Sequence, residues 1–71
     1  MDQAEITKRF TSHAPRSQAT VEAHVMAREV FGKLAAVLNE LLPESREKSL
    51  AFTALEEALM WSNAAIARNQ S

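Results

Sequence analysis

The stretch "AVLNELLPESREKSLAF" (Ala36–Phe52) decides how this chain is built. Apolar residues arrive at helical spacing as far as Leu41 and Leu42, Pro43 stops them, and a second periodic run begins within a few residues. Proline lacks the N–H that a helix interior needs and pushes the residue before it toward extended backbone. Ser45 then offers the side-chain oxygen of an N-cap, and Glu47 falls in the electropositive first turn that follows. A stop and a start this close together predict two helices folded back on one another as an antiparallel hairpin.

Upstream, Val21, Val25, Met26, Val30, Phe31, Leu34, Val37, Leu38, Leu41 and Leu42 recur at intervals of three and four, which predicts a helix over 18–42 capped by Ser17 or Thr20. Downstream, Leu50, Phe52, Leu55, Leu59 and Ile66 share one broad face of a helix over 46–69. At ~1.5 Å per residue each helix is roughly 36 Å long. Ahead of them, Asp2 with Glu5 three residues on resembles a capping box for a short helix over 1–9. "FTSHAPRSQ" (Phe10–Gln18) has no helical period, and Pro15 drives Ala14 out of the helical region, so a loop is expected over 10–17. The expected fold is all-α, a single unit over 1–71 made of a short N-terminal helix and loop followed by a long antiparallel helical hairpin.

A hairpin of this kind has no third long element to close its core. Yet "EEALMWSNAAIAR" (Glu56–Arg68) runs from Ala58 to Ala67 without one charge. A helix apolar nearly all round is a buried helix. One partner helix covers one stripe, so the rest calls for another copy of the chain, and small Ala54, Ala58, Ala64, Ala65 and Ala67 permit close approach. The composition points the same way. With 71 residues and no Cys, the chain is too short for a large core and has no disulfides to help it. Two histidines on different elements make a metal site a poor expectation, and no cofactor is implied. "MDQAEITKRF" carries no apolar leader core, and no uncharged run approaches the ~18 residues of a membrane span, so a soluble, cytoplasmic homo-oligomer is expected, with no membrane partner. A net charge of −1 offers no general attraction to nucleic acid, so no DNA partner is expected and any anion must be bound locally.

The residues that could carry catalysis are few. Glu56 and Glu57 are helix neighbours pointing about 100° apart, which suits a solvated or salt-bridging face better than acid–base work. Gly32 stands alone and mid-helix, reading as a close-packing position rather than a phosphate loop. His24 reads as a part-buried structural histidine, Trp61 as core with a bonded indole N–H, and Asn63 as a polar group needing a partner across an interface or on a ligand. Basic residues are more informative. "KRFTSHAPRSQ" (Lys8–Gln18) holds Lys8, Arg9, Arg16 and His13 without an acid, beside hydroxyls at Thr11 and Ser12 and a ring at Phe10. Phosphate is met by cations and hydroxyl or backbone donors, and a base by an aromatic platform. Arg28 interrupts an apolar stripe of Val21, Val25, Gly32 and Ala35, where a guanidinium either snorkels or meets an anion. Arg68 follows the uncharged run, where it neutralises a helix C-terminus or crosses to another chain.

"RFTSHAP" (Arg9–Pro15) and "PESREKSLAFTALEEALMWSNAAIAR" (Pro43–Arg68) together resemble the phage anti-CBASS cyclic-nucleotide sponge family, whose helical hairpin is shared with sponges that inhibit Thoeris defence. The resemblance implies a homohexamer that sequesters cyclic oligonucleotide signals without cleaving them, in the host cytoplasm during phage infection, and hence no enzyme. It implies cyclic dinucleotides held between paired protomers by the segment "FTSHAP", with Phe10, Thr11, Ser12 and His13, and by Arg28; the basic loop read above adds Arg16 as a candidate ligand contact. A second site near the symmetry axis would take cyclic trinucleotides with Arg68. Two departures stand out: Ser12 replaces the tyrosine of "FTYHAP", and Ser62 the alanine of "WANAAIAR". A base stacked on an aromatic ring contributes ~1 to 3 kcal/mol, so Ser12 implies weaker dinucleotide binding or another preferred ligand, for which Phe10 or Phe31 could supply a ring. A sponge for a different signal, such as a cyclic ADP-ribose isomer, and a purely structural hairpin oligomer remain as alternatives.

Overall fold

In the computed structural model, which describes residues 1–70, three helices open in the same way. Asp2, Ser17 and Ser45 lie in extended backbone, and each side-chain oxygen accepts the N–H three residues on, from Glu5 at 2.8 Å, Thr20 at 3.2 Å and Lys48 at 3.1 Å. The helices are α1 (Gln3–Phe10), α2 (Gln18–Leu41) and α3 (Arg46–Arg68). Their C-terminal ends differ from the expected ones by a residue, each for a local reason, and α1 starts at Gln3 rather than at residue 1 because Asp2 is its cap. Thr11 N–H still reaches the Thr7 carbonyl at 3.0 Å, so α1 continues through Phe10. Leu42 is the extended C-cap that Pro43 demands of its predecessor, and Asn69 caps α3. The capping box at Asp2 is only half made, because the Glu5 carboxylate takes Arg9 Nε at 2.8 Å instead of turning back. Ser71, the last residue of the expected 1–71 unit, lies outside the described residues.

Helices α2 and α3 pack antiparallel along one seam. Ala23, His24, Ala27, Phe31, Ala35 and Leu38 of α2 are half-buried against Phe52, Leu55, Leu59, Asn63 and Ile66 of α3, a spacing of three and four on both sides. The pairing register sets His24 opposite Asn63, and His24 Nδ1–H donates to Asn63 Oδ1 at 2.8 Å. Asn63 Oδ1 therefore finds its partner within its own chain, which corrects the expectation that this residue needs one across an interface or on a ligand. Leu50 is also off the seam and exposed, since two residues before Phe52 is the far side of a helix. Trp61 is 62% exposed and bonds Glu57 of its own helix at 3.3 Å through its indole N–H, rather than lying in a core. Gly32 meets no close packing either: a Cβ placed there would have no atom within 4 Å.

The folded chain measures 45 × 31 × 12 Å. Two stacked layers of helices at the usual ~8–10 Å spacing would be thicker, so the hairpin is one layer and has no interior. Accordingly no apolar side chain among the described residues is buried, while Met26, Val30, Leu34, Val37 and Leu41 stand exposed along one flank of α2. They lie about a quarter turn from the seam, and Ala51, Ala54 and Ala58 of α3 project on the same side of the antiparallel pair. An apolar face of this extent is the feature that marks association surfaces in soluble proteins. Among the described residues no helix is long and apolar enough to cross a membrane.

Among the described residues Lys48 is the one buried residue, at 8% exposure, and it closes the hairpin. Its Nζ donates to the Asn39 carbonyl at 3.0 Å and to the Glu44 carboxylate. Asn39 is in the last turn of α2, where carbonyls lack helical partners and the dipole favours a cation. Glu44 is almost fully exposed, so its ion pair contributes little, and the bond to the carbonyl dominates. Lys48→Met is expected to cost about 1 to 2 kcal/mol, whereas Glu44→Gln stays within about 0.5 kcal/mol. Thermal melts of both variants at one protein concentration check this, and equal losses would assign the stabilisation to the ion pair.

Candidate functional site

Two grooves flank the hairpin. The first runs beside the seam on the side opposite the apolar face and is lined by Arg28, Phe31, Gly32 and Ala35 of α2 and Phe52, Thr53, Leu55, Glu56 and Leu59 of α3. Its volume is about 530 Å³, within the range of small-molecule sites. The absence of a side chain at Gly32 leaves its α2 wall open. Arg28 is the cation of this groove, and among the described residues it makes no hydrogen bond or ion pair, although Glu56 lines the same groove. The arrangement is a guanidinium at the edge of an apolar, two-ring surface. Such a surface suits a ligand with a planar apolar part and an anionic part.

The second groove, of about 570 Å³, lies between α1 and the end of α3. Lys8, Arg9 and Arg68 supply positive charge there, Phe10 and Trp61 supply rings, and Ala64 and Ala65 form a smooth floor. Phe10 is 83% exposed, so its ring is held by little of its own chain. Arg68 is partly engaged: its Nη2 donates to the Arg9 carbonyl at 3.3 Å, tying α3 to α1. The Arg9 guanidinium beside Glu5 holds that carboxyl below its ordinary range, a charge pairing that is lost as pH falls through the lowered pKa.

At the end of α3, the loop Thr11–Ser17 is pinned by polar groups that follow that helix. Gln70 accepts the Arg16 N–H at 2.7 Å through Oε1, and its Nε2 donates to the carbonyls of Ala14 at 3.1 Å and Ala67 at 2.9 Å. Asn69 donates to Ala65 at 2.9 Å and accepts from Lys8 Nζ at 3.1 Å. His13 is half-buried and donates from Nε2 to the Lys8 carbonyl at 3.0 Å, which leaves Nδ1 of the neutral ring as an acceptor. Thr11, Ser12 and Arg16 are exposed.

The residues singled out in the sequence thus fall into three places. Phe10 and Arg68 share the α1–α3 groove, Thr11, Ser12, His13 and Arg16 form the pinned loop, and Arg28 lies in the seam groove. Arg28 is ten residues into α2 from its first turn, about 15 Å along the axis, so the single chain does not gather the loop and Arg28 into one pocket. Asn69 and Gln70 were not legible as site residues, because amides after the last apolar position look like a frayed end and their partners lie 54 to 61 residues away.

Neither the curated proteins nor the solved structures include a match to this chain. A family model does match: the one described as "Acb2/Tad1, hairpin domain" covers residues 2–67, from the N-cap of α1 to the last turn of α3. The chain is a member of the Acb2/Tad1 hairpin-domain family.

Proposed function

We propose that this protein assembles as a homohexamer and sequesters cyclic oligonucleotide second messengers, without cleaving them, in the cytoplasm of a phage-infected host. Members of the family are phage anti-defence sponges for nucleotide signals, and membership is the observation that carries this reading. The proposed ligands are cyclic dinucleotides at pockets completed between protomers, with Arg28 on a phosphate, and cyclic trinucleotides at the end of α3 with Arg68. The single-layer hairpin supports it: its open apolar flank needs a cover, and the separation of the loop from Arg28 makes a two-protomer pocket the natural way to use both. Phe31 lies beside Arg28 in the seam groove and would supply a ring next to the phosphate-binding cation there. Thiol, metal and phosphate-loop chemistry have no role in such binding, and the CBASS effector is silenced because its activator is withdrawn.

The test is a panel of cyclic di- and trinucleotides followed by thermal stabilisation, with the nucleotide recovered after heat denaturation. Stabilisation with intact nucleotide is the expected result, a cleaved nucleotide would make the protein a hydrolase, and no response to any of them would leave a structural oligomer. Ser12→Tyr is expected to strengthen cyclic dinucleotide binding by about tenfold, as one stacked base does. Isothermal titration of both forms measures it, and equal affinities would show that position 12 has no base above it.

A further inference from the structure

We propose that Gln70 is a positioning residue for ligand capture: its carboxamide holds the loop Thr11–Ser17 in its binding shape before the nucleotide arrives. The inference rests on the loop's proposed part in binding, and it concerns a residue beyond the 2–67 stretch shared with the family. The loop lacks the backbone ladder that a helix or strand would give it, and Pro15 removes one of its N–H groups. Gln70 bridges that gap from both sides. Its Oε1 takes the N–H of Arg16 and its Nε2 meets the carbonyl of Ala14, so one planar amide brackets Pro15 as a paired strand would.

The remaining amide proton of Gln70 goes to Ala67, which anchors the bracket to the last turn of α3. His13 adds a third tie, to Lys8 at the end of α1. The exposed groups of the loop, the Thr11 and Ser12 hydroxyls and the Arg16 guanidinium, are left to face outward from a fixed backbone. A binding segment that is ordered only part of the time binds with an apparent affinity reduced by that fraction, and the loss falls on association.

Gln70→Met keeps the length of the side chain and removes both bonds of the bracket, and the loss of two ordinary hydrogen bonds shifts a local ordering equilibrium by about tenfold or more. The variant is therefore expected to capture cyclic GMP-AMP, the probe, with an association rate ~3 to 10 times lower, a dissociation rate within about twofold, and an unchanged melting temperature without ligand. In parallel, hydrogen exchange of the Arg16 amide should accelerate by about tenfold. Gln70→Glu, which can still accept from Arg16 but meets the Ala14 carbonyl with a carboxylate oxygen, should fail in the same way on association. Wild-type association rates in both variants would overturn the proposal, as would a loss of binding that only tracks a fall in melting temperature. If the unaltered protein takes up neither this probe nor others of the panel, the sponge reading fails instead, and unchanged Arg16 exchange in Gln70→Met would separately remove the bracket.

Discussion

Replacing Arg28 by alanine is expected to abolish stabilisation by cyclic dinucleotides while leaving the mass of the assembly unchanged. In the seam groove Arg28 is the cation among apolar and aromatic neighbours, with Gly32 giving access beside it. A charge-assisted bond to phosphate contributes about 1.5 to 3 kcal/mol. A cyclic dinucleotide has two phosphates, and the proposed pocket between paired protomers would present Arg28 twice, so the substitution would remove the bond twice. The expected loss is at least ~100-fold in affinity, since each ~1.4 kcal/mol is a factor of ten. Arg28→Lys retains the charge but not the planar fork, and should recover only part of the binding. Arg28 lies away from the apolar flank of Met26, Val30 and Leu34, so light scattering should report the same particle for both variants. A thermal shift as large as that of the unaltered protein would take Arg28 out of the site.

Val30→Glu is expected to break the assembly into smaller species. In the isolated protomer Val30 is 58% exposed and faces no partner, so a carboxylate there costs the hairpin little, within about 0.5 kcal/mol. Covered by another copy, the same carboxylate is desolvated without a cation and costs several kcal/mol per subunit. The large difference between those two costs is what makes the test decisive. Ala65 is a poorer choice for it, because the α1–α3 groove that it lines holds Lys8, Arg9 and Arg68, which would pair with an introduced acid. Glu29→Gln, on the charged back of α2, is the matched control. Light scattering of both variants at one concentration gives the answer. An unchanged particle for Val30→Glu would mean that the flank is not an interface.

How much of this was legible beforehand depended on distance along the chain. The hairpin was, because Pro43, Ser45 and the three-and-four spacing act over a few residues, and those signals survive in any tertiary context. The caps at Ser17 and Ser45 follow from the same local chemistry. The fates of Trp61, Gly32 and Asn63 were not. Residue type alone reads them as core, close packing and an outward partner, whereas their surroundings depend on the rotation of α3 against α2. A shift of that seam by one residue turns every side chain by about 100°. Lys48 shows the limit from the other side: a lysine in a run of charges reads as surface, yet the turn buries it beneath the last carbonyls of α2.

By itself the sequence determined that the chain is helical, that two long helices return on each other, and that more apolar surface exists than one hairpin can cover. Those properties are sums of short-range preferences and of composition. Only the tertiary structure decided that His24 and Asn63 satisfy one another, that Arg28 and Arg68 open into different grooves, and that Gln70 brackets the loop around Pro15. These depend on the register and rotation with which distant segments meet, which a hydrogen bond of about 3 Å resolves and a periodicity of three and four does not.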